Sequence, residues 1–240
     1  MPRIRHRSAR RHASEFIDSI LELKPSTAAF DCDGTLWAGD AGVGFFNWEL
    51  DQGLLSPEVT KWARQRYADY LLGKVSEDDM CGEMVFMHEG LSETLIQSAA
   101  NQYFDDNFVR QIFPEMRDLV RKLLDQGCDV WAVSSSNEWI IRSGMRYFGI
   151  PQNKILAAAV EVDDGIVTDR LTRVPSGDGK PTALRSVLAN PPETAFGNSK
   201  WDVAMLAIAK HAFAVNPFPD MEDVARRLGW RIYYPDPIEL

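Results

Sequence analysis

The sequence predicts an α/β fold in which a parallel sheet is flanked by helices and an all-helical cap domain is inserted after the first strand. From residue 113 onwards, short apolar runs alternate with amphipathic segments, which is typical of parallel strands joined by helical crossovers. Between residues 37 and 113 helical periodicity dominates, with no strong strand pattern. We therefore predict a basic tail over residues 1–14, a core domain over residues 15–36 and 114–240, and a cap over residues 37–113.

The first strand is predicted at residues 27–31, and it ends in the motif Phe30-Asp31-Cys32-Asp33-Gly34-Thr35-Leu36. Residues i and i+2 of an extended strand point to the same face, so Asp31 and Asp33 are expected to project together. Two neighbouring carboxylates repel each other. A divalent metal and a phosphate ester would account for the pair, with one carboxylate attacking phosphorus and the other handling the proton. Taken alone, the motif is equally consistent with an Asp-Gly turn after a strand.

The cap is predicted to contain three helices, at residues 57–72, 76–88 and 92–104. Ser56 is suited to cap the first of them, and Pro57, which follows it, is suited to the first helical position. The second begins with Glu77, Asp78 and Asp79, acids that the helix dipole stabilises at an N-terminus. These signals indicate where both helices start.

The remaining elements alternate between helix and strand. Helices are predicted at residues 113–125, 138–148 and 181–188, and strands at residues 129–134, 155–160, 194–196, 212–215 and 231–234, with a hairpin turn at residues 163–165. This order is typical of a Rossmann-like sheet with right-handed crossovers. Ligands of such sheets bind beyond the carboxyl ends of the strands. We expect Asp31, Asp33, Ser134 and Asn198 to lie there.

The composition gives no support to nucleic-acid or membrane partners. The 240 residues carry a net charge of −9, which does not favour nucleic-acid binding. No apolar stretch approaches the length of a membrane span. The three cysteines are odd in number and share no metal-ligand spacing, which is typical of a reducing cytoplasm. We therefore expect a cytoplasmic protein, and the sequence does not indicate its oligomeric state.

The start of the chain differs from the rest in its charge. Arginines occupy positions 3, 5, 7, 10 and 11, without an acid among them. No apolar segment follows, so the segment is not a secretory signal. A disordered tail is expected here, although a targeting peptide or an anion-binding arm would have the same composition.

Four motifs occur in one order along the chain: Asp31-Cys-Asp-Gly-Thr35, the apolar run that ends in Ser134, Gly177-Asp-Gly-Lys180, and Phe196-Gly-Asn198-Ser-Lys-Trp-Asp202. Their order and spacing resemble the four motifs of the haloacid dehalogenase superfamily. The chain is most similar to the phosphoserine-phosphatase-like branch, which has a helical cap between the first and second motifs. The resemblance extends from residue 28 to residue 234.

The resemblance implies a magnesium-dependent phosphomonoesterase that hydrolyses a small phosphorylated metabolite through an aspartyl-phosphate intermediate. Asp31 would be the nucleophile and a metal ligand, and Asp33 would be the general acid and base. Ser134 would hydrogen-bond a phosphoryl oxygen, while Lys180 and Mg²⁺ would offset the negative charge. The implied metal residues are Asp31, Asp33 through its backbone carbonyl, Asn198 and Asp202, the last of which would orient the metal shell.

Substrate contacts are expected from the turn after the first strand, the second motif and the cap. The predicted substrate-binding residues are Gly34, Thr35, Trp37, Asp40 and Ser135. Phosphoserine phosphatases have an acid at the position of Asp40 that contacts the substrate amine, but the arginine that grips the substrate carboxylate is replaced here by Met84. Aromatic faces near Asp40 can hold an alkylammonium group or simply pack the cap against the sheet. They belong to Trp37, Phe45, Phe46 and Trp48. A phosphorylated amino alcohol or amino acid is the suggested substrate.

Asn198 departs from the family pattern, in which an aspartate supplies the third protein ligand of magnesium. An amide binds the ion only through its carbonyl oxygen, so the magnesium affinity should be reduced. Haloacid dehalogenases carry an asparagine in this region and use no metal, so dehalogenation is an alternative, but they lack the second aspartate that this chain keeps as Asp33. A catalytically silent module that binds a phosphorylated ligand is another alternative, as is an adaptor that works through the arginine-rich tail.

Overall fold

A seven-stranded sheet forms the centre of the fold in the computed structural model, which describes residues 2–236, with side chains from residue 12. The strands are β1 Thr27–Phe30, β2 Asp129–Asn137, β3 Ile155–Asp163, β4 Ile166–Arg173, β5 Thr194–Gly197, β6 His211–Val215 and β7 Arg231–Tyr233. Their order across the sheet is β4-β3-β2-β1-β5-β6-β7. The first strand of the chain therefore lies in the middle of the sheet.

Strand β1 pairs in parallel with β2 on one side and with β5 on the other. Phe30 lies opposite Ala132 in β2 and opposite Phe196 in β5. The other adjacent pairs are also parallel, except β3 and β4, which form an antiparallel hairpin. Strands β1, β2 and β5 therefore end at the same edge of the sheet, as the alternating pattern predicts.

Ten α-helices occur among the described residues. They are α1 Pro2–Leu21, α2 Ala41–Gln52, α3 Pro57–Leu71, α4 Glu77–Phe86, α5 Glu93–Asn107, α6 Pro114–Asp125, α7 Glu138–Met145, α8 Gly179–Arg185, α9 Val203–Ile208 and α10 Pro219–Leu228. Short 3₁₀ helices occur at Val109–Gln111, Gln152–Lys154 and Lys200–Asp202. The predicted cap helices correspond to α3, α4 and α5, whereas α2 is an addition to the prediction.

The sheet is buried on both faces. Ala28 and Phe30 of β1 pack into one hydrophobic cluster, and Ala29 between them packs into another. Helices α1, α6 and α7 cover the first face, and α8, α9 and α10 cover the second. Because both faces of the sheet are buried, the strands are nearly continuous apolar runs in the sequence. The predicted α/β fold, with a parallel sheet flanked by helices, is confirmed.

The segment between β1 and α6 is fully described and contains the four helices α2–α5. It has a hydrophobic cluster of its own, in which Phe46, Leu50, Met80 and Met84 are buried. Phe104 of α5 packs instead into the main core. An all-helical cap after the first strand is therefore confirmed, while the domain limits at residues 37 and 113 stay a prediction.

Helix α1 occupies the segment for which the sequence predicts a disordered tail. It runs from Pro2 to Leu21, across the predicted boundary at residue 14. The side chains of residues 1–11, and with them the five arginines, lie outside the described residues. Further along the helix, Ile17 and Ile20 are buried in the main core. Within the described part of the chain, no helix is both long enough and apolar enough to span a bilayer.

Candidate active site

The carboxyl edge of the sheet brings the four motifs together. Asp31 follows β1, Ser134 lies in β2, and Asn198 follows β5, while Lys180 lies in the first turn of α8. All four residues are buried. The motifs therefore converge on one site beneath the cap.

Lys180 is the central cation of this site. Its Nζ donates hydrogen bonds to Asp31 Oδ1 at 2.7 Å, to Asp202 Oδ1 at 2.6 Å and to the carbonyl oxygen of Val133 at 3.0 Å. Burial alone would lower the pKa of Lys180, but the charges of Asp202 and Asp31 outweigh it and raise the pKa. The ammonium group therefore stays charged, and all three of its N–H donors are used.

Asp31 is held at both carboxylate oxygens. Its Oδ1 accepts from Lys180, and its Oδ2 accepts from the hydroxyl of Thr35 at 2.8 Å. Burial raises the pKa of Asp31 to about 7, the charge of Asp202 adds to the rise, and Lys180 opposes it. A buried, oriented carboxylate with a perturbed pKa is characteristic of catalytic sites. Thr35, a predicted substrate contact, orients Asp31 in this structure.

Asp33 is fixed by three donors. Its Oδ1 accepts from Trp37 Nε1 at 2.8 Å and from the backbone N–H of Ala41 at 2.6 Å, and its Oδ2 accepts from Ser136 Oγ at 2.7 Å. Burial raises the pKa of Asp33 to about 7, and the charge of Asp40 adds to this. A carboxyl group that titrates near neutral pH can both give and take a proton.

Trp37 is corrected from a substrate contact to a residue that positions Asp33. Its side chain is fully buried, with ring centroids 5.2 Å from Phe104 and 6.1 Å from Phe148. Packing of these rings over the indole leaves no surface for a substrate. The N–H group of the indole donates its hydrogen bond to Asp33 from within the core.

The turn at Gly34 requires glycine. Its φ is +76°, and a Cβ there would lie 1.9 Å from Asn198 Nδ2. Asn216, at the end of β6, donates its side-chain amide to the carbonyl oxygen of Gly34 at 3.1 Å. Neither Asn216 nor Ser136 is among the predicted site residues. Ser136 could have been found by strand periodicity, since it lies two residues after Ser134.

Asp202 organises the loop after β5. Its Oδ2 accepts from the backbone N–H groups of Asn198 at 3.0 Å and Ser199 at 2.9 Å, and from the hydroxyl of Ser199 at 3.1 Å. Its Oδ1 accepts from Lys180. Because its Oδ2 already accepts from three donors of the loop and its Oδ1 from Lys180, Asp202 is suited to support other residues of the site rather than to bind an ion directly.

Asn198 offers an oxygen to a cation. The residue is 4% exposed, and its side-chain amide makes no hydrogen bond to any described residue. The described residues contain no group of three or more His, Cys, Asp or Glu arranged to hold a metal. A mixed donor set of the Asp31 carboxylate, a main-chain carbonyl from Asp33 and the Asn198 amide, completed by water, nevertheless fits Mg²⁺.

The end of β2 meets the start of α2 in the cap, where a Cβ on Gly42 would lie 2.3 Å from Ser136 Oγ, and this junction of residues 134–136 with residues 40–42 is the cleft of the site. Ser134 Oγ accepts from the backbone N–H of Ser136 at 3.2 Å, and its O–H has no acceptor among the described residues. Ser135 contacts the thiol of Cys81 on α4. On the cap side, the Asp40 carboxylate accepts from a backbone N–H in the first turn of α2 at 2.7 Å. The predicted substrate residues Ser135 and Asp40 thus lie on the core side and the cap side of the cleft.

Comparison with known proteins gives relatives over most of the chain. The model for the haloacid dehalogenase-like hydrolases matches residues 28–207. The phosphoserine phosphatase SerB1 of Mycobacterium tuberculosis is 28% identical over 222 residues, covering 86% of this chain and 70% of the relative. A histidinol-phosphatase of Neisseria meningitidis serogroup C is 27% identical over 216 residues, covering 85% of this chain and 96% of the relative.

Solved structures share the fold. A protein of unknown function from Bordetella pertussis Tohama I has a TM-score of 0.76 at 21% identity, over 86% of this chain and 97% of its own. A substrate-bound phosphoserine phosphatase has a TM-score of 0.58 at 15% identity, over 88% and 93% of the two chains. The resemblance seen in the four motifs is confirmed, and the relatives named as phosphatases agree with the predicted class of enzyme. The chain belongs to the haloacid dehalogenase-like hydrolases.

Proposed function

We propose that the chain is a magnesium-dependent phosphomonoesterase that acts on a small phosphorylated metabolite through an aspartyl-phosphate on Asp31. The main support is the buried network in which Lys180 pairs with both Asp31 and Asp202. A phosphate monoester is a dianion, and each of its two charges repels a carboxylate at contact by about 4 kcal/mol at an effective dielectric constant of about 20. A buried ammonium beside the attacking oxygen offsets part of this repulsion.

The reaction has two steps. In the first, a carboxylate oxygen of Asp31 attacks phosphorus, the bond to the ester oxygen breaks, and Asp33 gives its proton to the leaving oxygen. In the second, Asp33 takes a proton from water, the water oxygen attacks phosphorus, and the bond to Asp31 breaks to release inorganic phosphate. A pKa of about 7 suits Asp33 to both steps. The hydroxyl of Ser134 and the backbone N–H of Gly34 would bind phosphoryl oxygens.

Magnesium would be held by the carboxylate of Asp31, the main-chain carbonyl of Asp33 and the side-chain oxygen of Asn198, with Asp202 outside them. When bound, the ion neutralises negative charge on the phosphoryl group. The leaving halide of a dehalogenase needs no proton, whereas Asp33 is oriented and has a pKa suited to proton transfer. This favours the phosphate reaction over the dehalogenase alternative.

Removing the metal tests this proposal. Hydrolysis of p-nitrophenyl phosphate, followed by nitrophenolate absorbance, is expected to fall at least about tenfold in excess EDTA and to return with added Mg²⁺. Activity that is indifferent to EDTA would contradict the metal requirement. Chloride release from chloroacetate would indicate a dehalogenase instead, and calorimetric binding of phosphate without turnover of any ester would indicate a silent binding module.

Asn198→Asp is expected to tighten magnesium binding by at least about tenfold, because a carboxylate replaces a neutral amide among the proposed ligands. Calorimetric titration with magnesium chloride measures the change without depending on activity. Asn190→Asp is the matched control, since Asn190 lies in an exposed loop away from the site. An unchanged affinity in Asn198→Asp would mean that this residue does not contact the ion.

The proposed substrate is a phosphorylated amino alcohol or amino acid. The two relatives described above are named for different substrates, so identity alone does not choose the ester. Asp40 supports a cationic substrate, because it is an exposed acid at the cleft and the described residues give it no ion-pair partner. We also propose a cytoplasmic location, since Cys32, Cys81 and Cys128 are free thiols.

A further inference from the structure

A histidine and a glutamate form a fully buried pair inside the cap. His88 lies in the turn of residues 87–92 between α4 and α5, which we call the cap root, and Glu49 lies in α2. Both side chains are 0% exposed, and His88 Nε2 lies 2.8 Å from Glu49 Oε2. A glutamate is almost never fully buried unless it is paired. The contact with His88 therefore accounts for the position of Glu49, and neither residue takes part in the proposed reaction.

The cap root is also where the cap rests on the core domain. The backbone N–H of Gly90 donates to the carbonyl oxygen of Val167 in β4 at 2.9 Å, and the backbone N–H of Val167 donates to the carbonyl oxygen of Leu91 at 2.9 Å. The imidazole of His88 packs in a T-shaped arrangement against the indole of Trp139 in α7, with ring centroids 5.1 Å apart. The imidazole therefore sits where the cap root, its partner on α2 and the core domain meet.

The hydrogen bonds of His88 fix the number of protons on the pair. Its Nδ1 lies 3.0 Å from the carbonyl oxygen of Val85, which can only accept, so Nδ1 carries a proton. Nε2 then shares one further proton with Glu49: either a charged imidazole donates to a carboxylate, or a carboxylic acid donates to a neutral imidazole. The pair is electrically neutral in both forms. Loss of the shared proton would leave a carboxylate facing an imidazole lone pair, without a hydrogen bond between them.

The described residues offer nothing that would compensate a charge left on this pair. Glu49 Oε1 is buried and has no hydrogen-bond partner among them, and the same holds for Trp139 Nε1. Glu49 is the only charged group among them that shifts the pKa of His88, and His88 is the only one that shifts the pKa of Glu49. An uncompensated charge in an apolar interior is costly. The shared proton therefore keeps the pair stable.

Charged side chains on the surrounding elements are exposed or engaged elsewhere. Those that pair elsewhere are Asp51 of α2 with Arg64, Glu83 of α4 with Arg66, and both Glu93 of α5 and Glu138 of α7 with Arg142. Glu89, next to His88 in the cap root, is exposed. The protonation of the pair is therefore decided by its two members.

The pair binds its proton more firmly in the folded protein than in the unfolded chain. Burial raises the pKa of Glu49. Burial alone would lower the pKa of His88, but the charge of Glu49 and its hydrogen bond outweigh burial and raise the pKa. In the unfolded chain, histidine loses its proton above about pH 6.5. Above that pH an opening of the pair releases one proton, so the stability of the closed form falls as the pH rises.

We propose that Glu49 and His88 form a proton-dependent latch at the cap root, which holds α2 and the core domain together while the shared proton is bound and loosens above neutral pH. This inference goes beyond the proposed reaction and does not depend on it. Helix α2 would carry the loosening to the active site, because the backbone N–H of Ala41 at its start binds Asp33.

Hydrogen exchange of the cap-root amides, followed by mass spectrometry at several pH values, tests the latch. Dividing each measured rate by the intrinsic rate at the same pH gives the equilibrium constant for local opening. In the wild type this constant is expected to rise by at least about tenfold between about pH 7 and 8.5, because each opening releases one proton. In Glu49→Gln it should not change with pH, because the amide of glutamine donates to a neutral imidazole and no shared proton remains.

Glu89→Gln is the matched control, because Glu89 is an exposed acid of the cap root next to His88. It removes a charge without touching the pair, so it should keep the pH dependence of the wild type. A second measurement needs no variant at position 49. In nitrogen NMR of the histidine side chains, the imidazole of His88, identified by its absence in His88→Gln, should keep its Nδ1 proton and show no titration near about pH 6.5.

A wild-type opening constant that is independent of pH would overturn the proposal. So would the same pH dependence in Glu49→Gln as in the wild type, or an imidazole of His88 that titrates like an unfolded histidine. These results would leave the phosphomonoesterase assignment intact, since none of the measurements uses activity. Failure of that assignment has a different signature, in which p-nitrophenyl phosphate is not hydrolysed in the presence of Mg²⁺.

Discussion

Asp31→Asn is expected to lower kcat/KM for p-nitrophenyl phosphate by at least about a thousandfold, the scale on which enzymes lose activity when a nucleophile is removed. The amide cannot attack phosphorus as a carboxylate does, so the aspartyl-phosphate cannot form. Its oxygen can still accept a hydrogen bond from Lys180 or Thr35, the two partners of Asp31. The loss should therefore be chemical rather than structural, and initial rates at saturating Mg²⁺ measure it.

Asp125→Asn is a suitable control for this prediction. Asp125 is the last residue of α6, and its side chain is 68% exposed, remote from the cleft. The control should keep wild-type activity, and both variants should melt close to the wild type. Full activity in Asp31→Asn would refute the assigned nucleophile. When the wild-type enzyme is incubated with an ester radiolabelled at phosphorus and then quenched with acid, a labelled phosphoryl group should stay bound to the protein. The Asp31→Asn variant should retain no label.

The sequence predicts the sheet and its active edge well, because the information lies in short local patterns. Apolar runs that alternate with amphipathic segments permit few arrangements other than a parallel sheet. In such a sheet the carboxyl ends of adjacent strands meet, so residues as distant in sequence as Asp31, Ser134 and Asn198 are brought together. Lys180 and Asp31 are 149 positions apart in the sequence. Only the order of the four motifs indicates, before the structure is known, that the two residues meet.

The sequence patterns do not predict helix α2, and the reason is physical. Gly42 and Gly44 lower the helix propensity of its first turn. Tertiary contacts require both, because a Cβ on Gly42 would lie 2.3 Å from Ser136 Oγ and one on Gly44 would lie 2.2 Å from the Tyr103 hydroxyl. Close packing of the helix against the catalytic loop and α5 therefore overrides the local preference. No pattern within the segment itself carries that information.

The function of each side chain in the site is harder to predict than its position. Trp37 follows the catalytic motif closely, and an aromatic residue there suggests a substrate contact. Its burial depends on Phe104 and Phe148, which are distant in sequence. Asn216 likewise supports Gly34 across the sheet, from 182 positions away. Such roles depend on which surfaces the cap and the late strands cover, and this is decided only when the whole chain folds.

Lys180→Met is expected to cost about 3–5 kcal/mol of the free energy of unfolding, in addition to removing activity. Lys180 is 1% exposed, and without its ammonium group the carboxylates of Asp31 and Asp202 would face each other in a buried site. Methionine fills most of the space, so the loss comes from the unpaired charges rather than from a cavity. Urea unfolding followed by circular dichroism measures the change.

Two further variants separate this charge effect from a general sensitivity to mutation. Lys210→Met removes a lysine whose side chain is 68% exposed, and the expected change is below about 0.5 kcal/mol. Adding Asp202→Asn to Lys180→Met removes one of the two buried charges, so the double variant should regain part of the lost stability. It should stay inactive, because Lys180, which is proposed to offset the repulsion between Asp31 and a phosphate dianion together with Mg²⁺, is still missing. A Lys180→Met variant as stable as the wild type would mean that the buried network contributes little to folding, and the lysine would then serve catalysis alone.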